Sequence, residues 1–403
     1  MNRRDRVMAS LDFQPVERLP RDLGGMPSTG ISCFAYPRLR AALGLPYRRP
    51  RVYDTGQMLA LPDTDVLDAL DCDVVTVCPP VTNAFEQPEL WYPFDFGGRL
   101  DALVLRPADF VIEADGTILQ SDAESRMPPH AFVFDRDHAG QLFSLDGPTP
   151  RPDIEALRAR LDAEAARLEQ DMEAVVRLFE ETRNATDRAV MAFGLGLGIG
   201  IGEFTGVALF PLLCMEDPDF VRGMHRMITD AALRRLERLL PRIGACIDVF
   251  VVAADDWGTQ YGLIASPDVY RELFKPFYRE VNDLIHALAP QTRTFFHSCG
   301  AVETLIDEFI ASGFDVLNPV QWTAGGSSPE AWKQRTAGRL ALWGGGVNSQ
   351  ETLPWGTPEA VSEEARRTAS ILGAGGGYVF AAIHNILAEV PPANVIALYR
   401  ALD

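Results

Sequence analysis

The chain has 403 residues, a hydrophobic fraction of 47% and a formal net charge of −19. That length suits an α/β barrel with an insertion and can bury a large core. The negative charge argues against nucleic acid as a partner, because phosphate backbones are gripped by clustered Lys and Arg, and no run approaches a membrane span.

In chain order, the N-terminal stretch "MNRRDRVMASLDFQPVERLP" has basic residues followed by alternating polar and apolar ones, unlike the apolar core of a secretory signal. A cytoplasmic protein is expected. The six cysteines, Cys33, Cys72, Cys78, Cys214, Cys246 and Cys299, lack framework spacing, which fits reduced thiols better than disulfides. Eight short β-rich runs follow one another: "ERLPRDLGG", "CDVVTVCPP", "AVMAFGLGLG", "IDVFVVAADD", "TRTFFHSCG", "FDVLNPVQ", "RLALWGGG" and "GYVFAAIHN". Amphipathic helical patterns such as "SPDVYRELFKPFYREVNDLIHALAP" and "PEAVSEEARRTASILGAGG" separate the later ones. Strand alternating with helix predicts parallel pairing, and eight such strands predict a closed (β/α)8 TIM barrel.

The alternation breaks between about residues 80 and 190. There, "WYPFDFGGRLDALVLRPADFVIEADGTILQ" carries short alternating runs and an "ADGT" turn, the pattern of an antiparallel excursion. The charged stretch "RPDIEALRARLDAEAARLEQDMEAVVRLFEETRN" reads as a long helix with a solvated face. The expectation is a single barrel domain over residues 1–403, with an inserted β-rich and helical excursion at 80–190 packed on it.

The later strands end in residues with usable chemistry. Asp255 and Asp256 follow "DVFVVAA", His297 and Cys299 follow "TRTFF", and Asn318 and Gln321 follow "FDVL". Gly344 to Gly346 with Asn348 follow "LALW", and His384 with Asn385 follows "GYVFAAI". In a barrel these ends meet at one mouth, where barrel enzymes keep their active sites. Helix capping is the alternative for Asp256 or Asn348 taken alone. The same region offers Asp255 for substrate contact or proton handling. Asp256, Trp257, Gln260, Asn318, Gln321 and Asn348 are expected to line the substrate side, with the Trp257 indole available for stacking on a ring. If the strand ends at His297 and the backbone turns at "CG", with Gly300 permitting the bend, His297 and Cys299 can converge on a metal. Zinc suits such N and S ligands, and a catalytic zinc needs only three protein ligands. A core histidine beside an inert thiol is the competing reading of the same spacing.

The stretches "RDRVMASLDFQPVERLP", "DDWGTQYGLIASPDVYRELFKPFY", "FFHSCGAVETLIDEFIASGFDVLNPVQ" and "LALWGGGVNSQETLPWGTPEAV" resemble the uroporphyrinogen decarboxylase superfamily. Within it the chain is more similar to the zinc-dependent, corrinoid-linked methyltransferases than to the porphyrinogen decarboxylases, and the resemblance covers nearly the whole length. "HSCG" matches the H-x-C metal motif of those methyltransferases, which implies His297 and Cys299 as zinc ligands. The arginine-rich element with which the decarboxylases hold substrate carboxylates is not evident around "RDLGGMPSTG". The methyltransferases place a second cysteine after the last barrel strand, whereas this sequence has "YVFAAIHNILAEVPP" and no cysteine beyond Cys299. His384 is the nearest substitute, imidazole being a good zinc ligand. A His2Cys site carries less negative charge than a HisCys2 site and should be the better Lewis acid.

The resemblance therefore implies methyl transfer between a small methylated compound, such as a methoxylated aromatic, and a corrinoid (cobalamin) co-substrate. The sequence holds no D-x-H-x-x-G stretch, so the corrinoid is expected free or on a separate corrinoid protein. The alternatives are a metal-free decarboxylase or lyase with Asp255 or Asp256 as proton carrier, and a non-catalytic binding protein on the same scaffold. The density of polar strand ends speaks against the last.

Overall fold

A computed structural model describes residues 1–121, 125–136, 147–336 and 338–403. Seven parallel strands run side by side in chain order: β1 (Val74–Cys78), β2 (Ala189–Ala192), β3 (Val249–Ala254), β4 (Arg293–His297), β5 (Val316–Asn318), β6 (Ala341–Trp343) and β7 (Tyr378–Val379). A short strand, Val81–Thr82, folds back antiparallel on β1. The first expected strand, "ERLPRDLGG", is reduced to one bridge between Arg21 and Phe380. Even so, it closes the ring. Phe380 N–H donates to the Pro20 carbonyl and Asp22 N–H to the Phe380 carbonyl, while on the other side Asp73 N–H donates to the Arg21 carbonyl. The architecture is the (β/α)8 barrel expected from the strand and helix alternation.

Alternation of side chains along each strand sorts the core into two layers. Val74, Met191, Val251, Phe295 and Trp343 fill the barrel interior, and Val7 and Leu11 of helix α1 (Arg3–Leu11) join the same cluster. Their neighbours Val75, Val190, Val252, Phe296 and Leu342 point outward against the helices. The long helix α2 (Ile154–Ala185) packs on β1 and on helix α3 (Pro218–Ile243), which makes it the crossover between β1 and β2. The charged stretch expected in an inserted excursion is thus a regular barrel helix whose outer face is solvated. The β-rich part of the excursion contributes to two sheets, one antiparallel and one mixed, in which Arg51–Asp54 pairs parallel with Asp101–Val104. One of them also takes strands from Ile31–Ser32, Arg51–Asp54 and Leu59–Ala60, ahead of the expected start at residue 80. Residues 122–124 and 137–146 of the excursion lie outside the described residues. Among the described residues, no helix is long and apolar enough to cross a membrane.

At the end of the barrel opposite the mouth, Asp73 is fully buried. Its carboxylate accepts from the Arg6 and Arg18 guanidinium groups, at 2.7 Å for Arg18 Nη1, and from Arg21 N–H at 2.9 Å. It therefore ties together α1, the closing segment and β1. Replacing Asp73 with Ala removes the buried carboxylate that Arg6 and Arg18 share and leaves them only the exposed Glu17 and Asp71, which costs about 3 kcal/mol. A urea unfolding curve should show that loss. A change below about 1 kcal/mol would mean that the network contributes little to barrel closure.

Candidate metal centre

Strand β4 brings the first two donors. Phe295 belongs to the inner core and Phe296 to the outer one, so His297 faces the interior at the mouth. Residues two apart on extended chain share a face. Strand β4 ends at His297, the chain runs on through Ser298 to Cys299, whose Sγ lies on the side of His297 Nε2, and the turn at "CG" follows. Gly300 supplies that turn with φ of +88°, and a Cβ there would lie 2.2 Å from the Gly258 carbonyl carbon. Gly258 N–H in turn donates to the Cys299 carbonyl at 3.1 Å. Glycine at 300 is thus required both by the backbone angle and by the close approach of the two loops.

His384 arrives from the loop after β7. That loop is anchored at Phe380 by the closing segment and at Ile386 by a bridge to Ile31. The donor atoms of His297, Cys299 and His384 all lie within 4.8 Å of one another, and Cys299 Sγ is 3.3 Å from His297 Nε2. Ligands about 2.0 and 2.3 Å from one tetrahedral zinc would stand about 3.5 Å apart, so the spacing fits such an ion.

The tautomer of His297 follows from its neighbours. Asn318 Nδ2 donates to the Trp343 carbonyl at 2.9 Å, which identifies the other amide atom as the oxygen. That Oδ1 accepts from Ser28 Oγ and faces His297 Nδ1, both at 2.7 Å. Nδ1 therefore carries the proton, and in the neutral ring Nε2 keeps its lone pair toward Cys299 and His384. A partner of this kind orients metal-binding histidines. Asn318 was expected to bind substrate, but it is fully buried with its amide spent on this network. Ser28 was not anticipated, because nothing in "GGMPSTG" announces a contact nearly three hundred positions away.

The two aspartates exchange their expected places. Asp255 is 3% exposed and accepts from Ile201 N–H, Trp257 Nε1 and Tyr278 Oη. Burial pushes its carboxyl up to about 7, although these three donors favour the anion. Enclosed in this way, it ties together the loop at Ile201, the Trp257 indole and the Tyr278 hydroxyl. Asp256 is exposed, with Oδ1 2.8 Å from Cys299 N and 3.4 Å from His297 Nε2. Partial desolvation by the surrounding loops opposes ionisation there, but the His297 imidazole and the Cys299 N–H hold the carboxyl well below its ordinary range.

Trp257 is fully buried, its indole spent on Asp255, and is not free to stack on a ligand. Gln321 Oε1 accepts from Gly300 N–H at 2.7 Å, and Gln260 Nε2 donates to the Thr323 carbonyl at 2.8 Å, so both tie the loops around the donors. Asn348 Oδ1 accepts from the N–H groups of Gln350 and Glu351, which closes the turn ahead of the short helix Thr352–Trp355.

Burial pushes the Cys299 thiol up, but the His297 and His384 imidazoles outweigh it and the net shift is downward. Burial pushes His297 down, but Cys299 and Asp256 carry it well above the usual histidine value. The thiolate of Cys299 therefore persists to lower pH than an ordinary thiolate. In chelator-treated protein, iodoacetamide should label Cys299 with a midpoint below about 8.5. His297→Gln should move that midpoint up. Cys33 and Cys72, pushed well up by burial, should stay unlabelled at neutral pH. A Cys299 midpoint at or above that of free cysteine would contradict the assignment.

The sequence model of the family described as Uroporphyrinogen decarboxylase (URO-D) matches residues 200–403, just over half of the chain and the part that carries all three donors. A uroporphyrinogen decarboxylase from Chlorobium luteolum (strain DSM 273 / BCRC 81028 / 2530) is 29% identical over 169 residues, 39% of this chain and 45% of that protein. One from Ralstonia pickettii (strain 12J) is 29% identical over 184 residues, 43% of this chain and 46% of that protein. The matched part thus spans less than half the length of these curated relatives. A solved structure described as a methyltransferase from Methanosarcina mazei superposes over 100% of this chain and 98% of its own, with a TM-score of 0.58 at 17% identity, a likeness of fold. With the barrel, the strand-end donors and the family match in agreement, the chain belongs to the uroporphyrinogen decarboxylase family.

Proposed function

We propose that the chain is a zinc-dependent methyltransferase of the cytoplasm, moving a methyl group between a small methylated compound and a corrinoid, free or carried by a separate protein. The observation that carries this reading is the convergence of His297 Nε2, Cys299 Sγ and His384 at the barrel mouth, with the His297 ring turned by Asn318. Fold likeness to a protein described as a methyltransferase agrees with it. The six free thiols suit a reducing compartment.

His297, Cys299 and His384 would hold the ion. Bound there, zinc would supply Lewis acidity to the oxygen, nitrogen or sulfur that bears the methyl group. The part-buried placement of Cys299 and His384 leaves the donor group open toward the mouth. Asp256 is the carboxylate placed to hydrogen-bond a substrate beside them. Asp255, Gln260 and Gln321 keep the surrounding loops in position. A methoxylated aromatic is the donor we favour, because an ether oxygen is a poor leaving group and gains most from a cationic site that carries one thiolate instead of two.

The curated relatives are described as decarboxylases, so a metal-free decarboxylase with Asp256 as proton carrier is the second reading. Metal analysis separates the two. Metal-replete protein should retain about one zinc per chain, lost in Cys299→Ala, and Asn318→Leu should weaken zinc binding about 10- to 100-fold in chelator competition. The visible absorption of added cobalt(I) corrinoid should change with at least one member of a panel of methoxyaromatics, methylamines and methyl thiols. Carbon dioxide release from a carboxylated substrate by zinc-free protein, with no absorption change for any donor, would favour the decarboxylase instead.

A further inference from the structure

A cavity of about 600 Å³ lies between helix α2 and the loops that follow β1 and β2, away from the His297, Cys299 and His384 group. Its apolar wall includes Pro79, Leu90, Leu168, Val175 and Leu178. Arg235 enters it from α3. Its Nη2 donates to the carbonyls of Leu195, at 3.0 Å, and Gly196, while its Nε is buried and has no partner. No carboxylate among the described residues forms an ion pair with Arg235, and Glu164 acts on it only through space. The other charges around the cavity, including Glu164, Arg167, Asp171 and Glu181, sit on exposed positions of α2. Solvent screens those charges, whereas a half-buried guanidinium without a counter-ion exerts a strong field on anything beside it.

We propose that this cavity binds a small organic monocarboxylate with an apolar body, its carboxylate paired with Arg235 and its body laid along the Leu168, Val175 and Leu178 wall. A cavity of several hundred cubic ångströms is sized for such a molecule. A carboxylate can pair with the guanidinium edge that the Leu195 and Gly196 carbonyls leave free, and the single half-buried cation matches a single anionic group. The same guanidinium holds the start of the glycine-rich loop "GLGLGIGIGEFTG", whose Ile201 N–H is fixed to Asp255. Occupation of the site therefore steadies one wall of the barrel mouth.

The test uses the anionic fluorophore 8-anilinonaphthalene-1-sulfonate with the full chain. Saturable fluorescence should appear, octanoate should displace it, and octyltrimethylammonium should not. Arg235→Gln should weaken competition by octanoate about tenfold or more, since hydrogen bonds to charged groups are the stronger class. Ala174→Trp, at an exposed position on the cavity wall, should remove the saturable signal. Where circular dichroism shows that Arg235→Gln has not folded, Ala174→Trp decides the matter. Absence of saturable binding, equal competition by the anion and the cation, or unchanged binding in the folded variants would overturn the proposal. The readout is probe fluorescence, so it stands apart from the zinc and methyl-transfer measurements.

Discussion

The hydrogen bond between the His297 ring and Asn318 is the contact on which the candidate centre depends. A neutral imidazole offers one lone pair, and the nitrogen that carries it is decided by what the other nitrogen donates to. Here Trp343 O orients the Asn318 amide, the amide oxygen takes the Nδ1 proton, and Nε2 is left aimed at Cys299. Three adjacent parallel strands make this possible, because His297 pairs with Asn318 in the β4–β5 register and Trp343 ends the next strand. Ser28 completes the amide oxygen's partners from the far end of the chain. A change of one residue in any of these registers would turn a side chain to the other face of its strand.

Around that contact the polar residues divide by burial. Asp255 and Trp257 are enclosed and bond to each other and to the loop at Ile201. Gln260 and Gln321 link the loops after β3, β4 and β5. These groups hold backbone in place. Asp256, Cys299 and His384 retain exposure and face the mouth. A small exposed set thus rests on a larger enclosed one, an arrangement that fixes the geometry of the exposed side chains.

Much of this was legible in the residues. The eight β-rich runs and the helices between them led to the barrel, and the convergence of strand ends led to the mouth. His297, Cys299 and His384 stand out because each follows an apolar run, but their reading as a ligand set comes from the resemblance to the methyltransferases. The order of exposure of Asp255 and Asp256 could not, since a bulge in β3 between Val251 and Ala253 shifts the alternation that would otherwise predict it. The closing strand was visible as "ERLPRDLGG", but not its reduction to a single bridge, because tertiary hydrogen bonds to Phe380 and Asp73 replace a regular ladder. Long-range partners such as Ser28 with Asn318 leave no local pattern. The helix Ile154–Ala185 is legible as a helix, but its place as the crossover from β1 to β2 is not, since a solvated outer face hides the stripe that packs on β1 and α3.

The proposed centre is one sulfur and two imidazole nitrogens holding a single ion at the mouth. Zinc K-edge X-ray absorption on the metal-replete protein tests it most directly. One sulfur at about 2.3 Å and nitrogen or oxygen neighbours at about 2.0–2.1 Å in a four-coordinate shell are expected. A shell with two sulfurs, or one built only of nitrogen and oxygen, would contradict it.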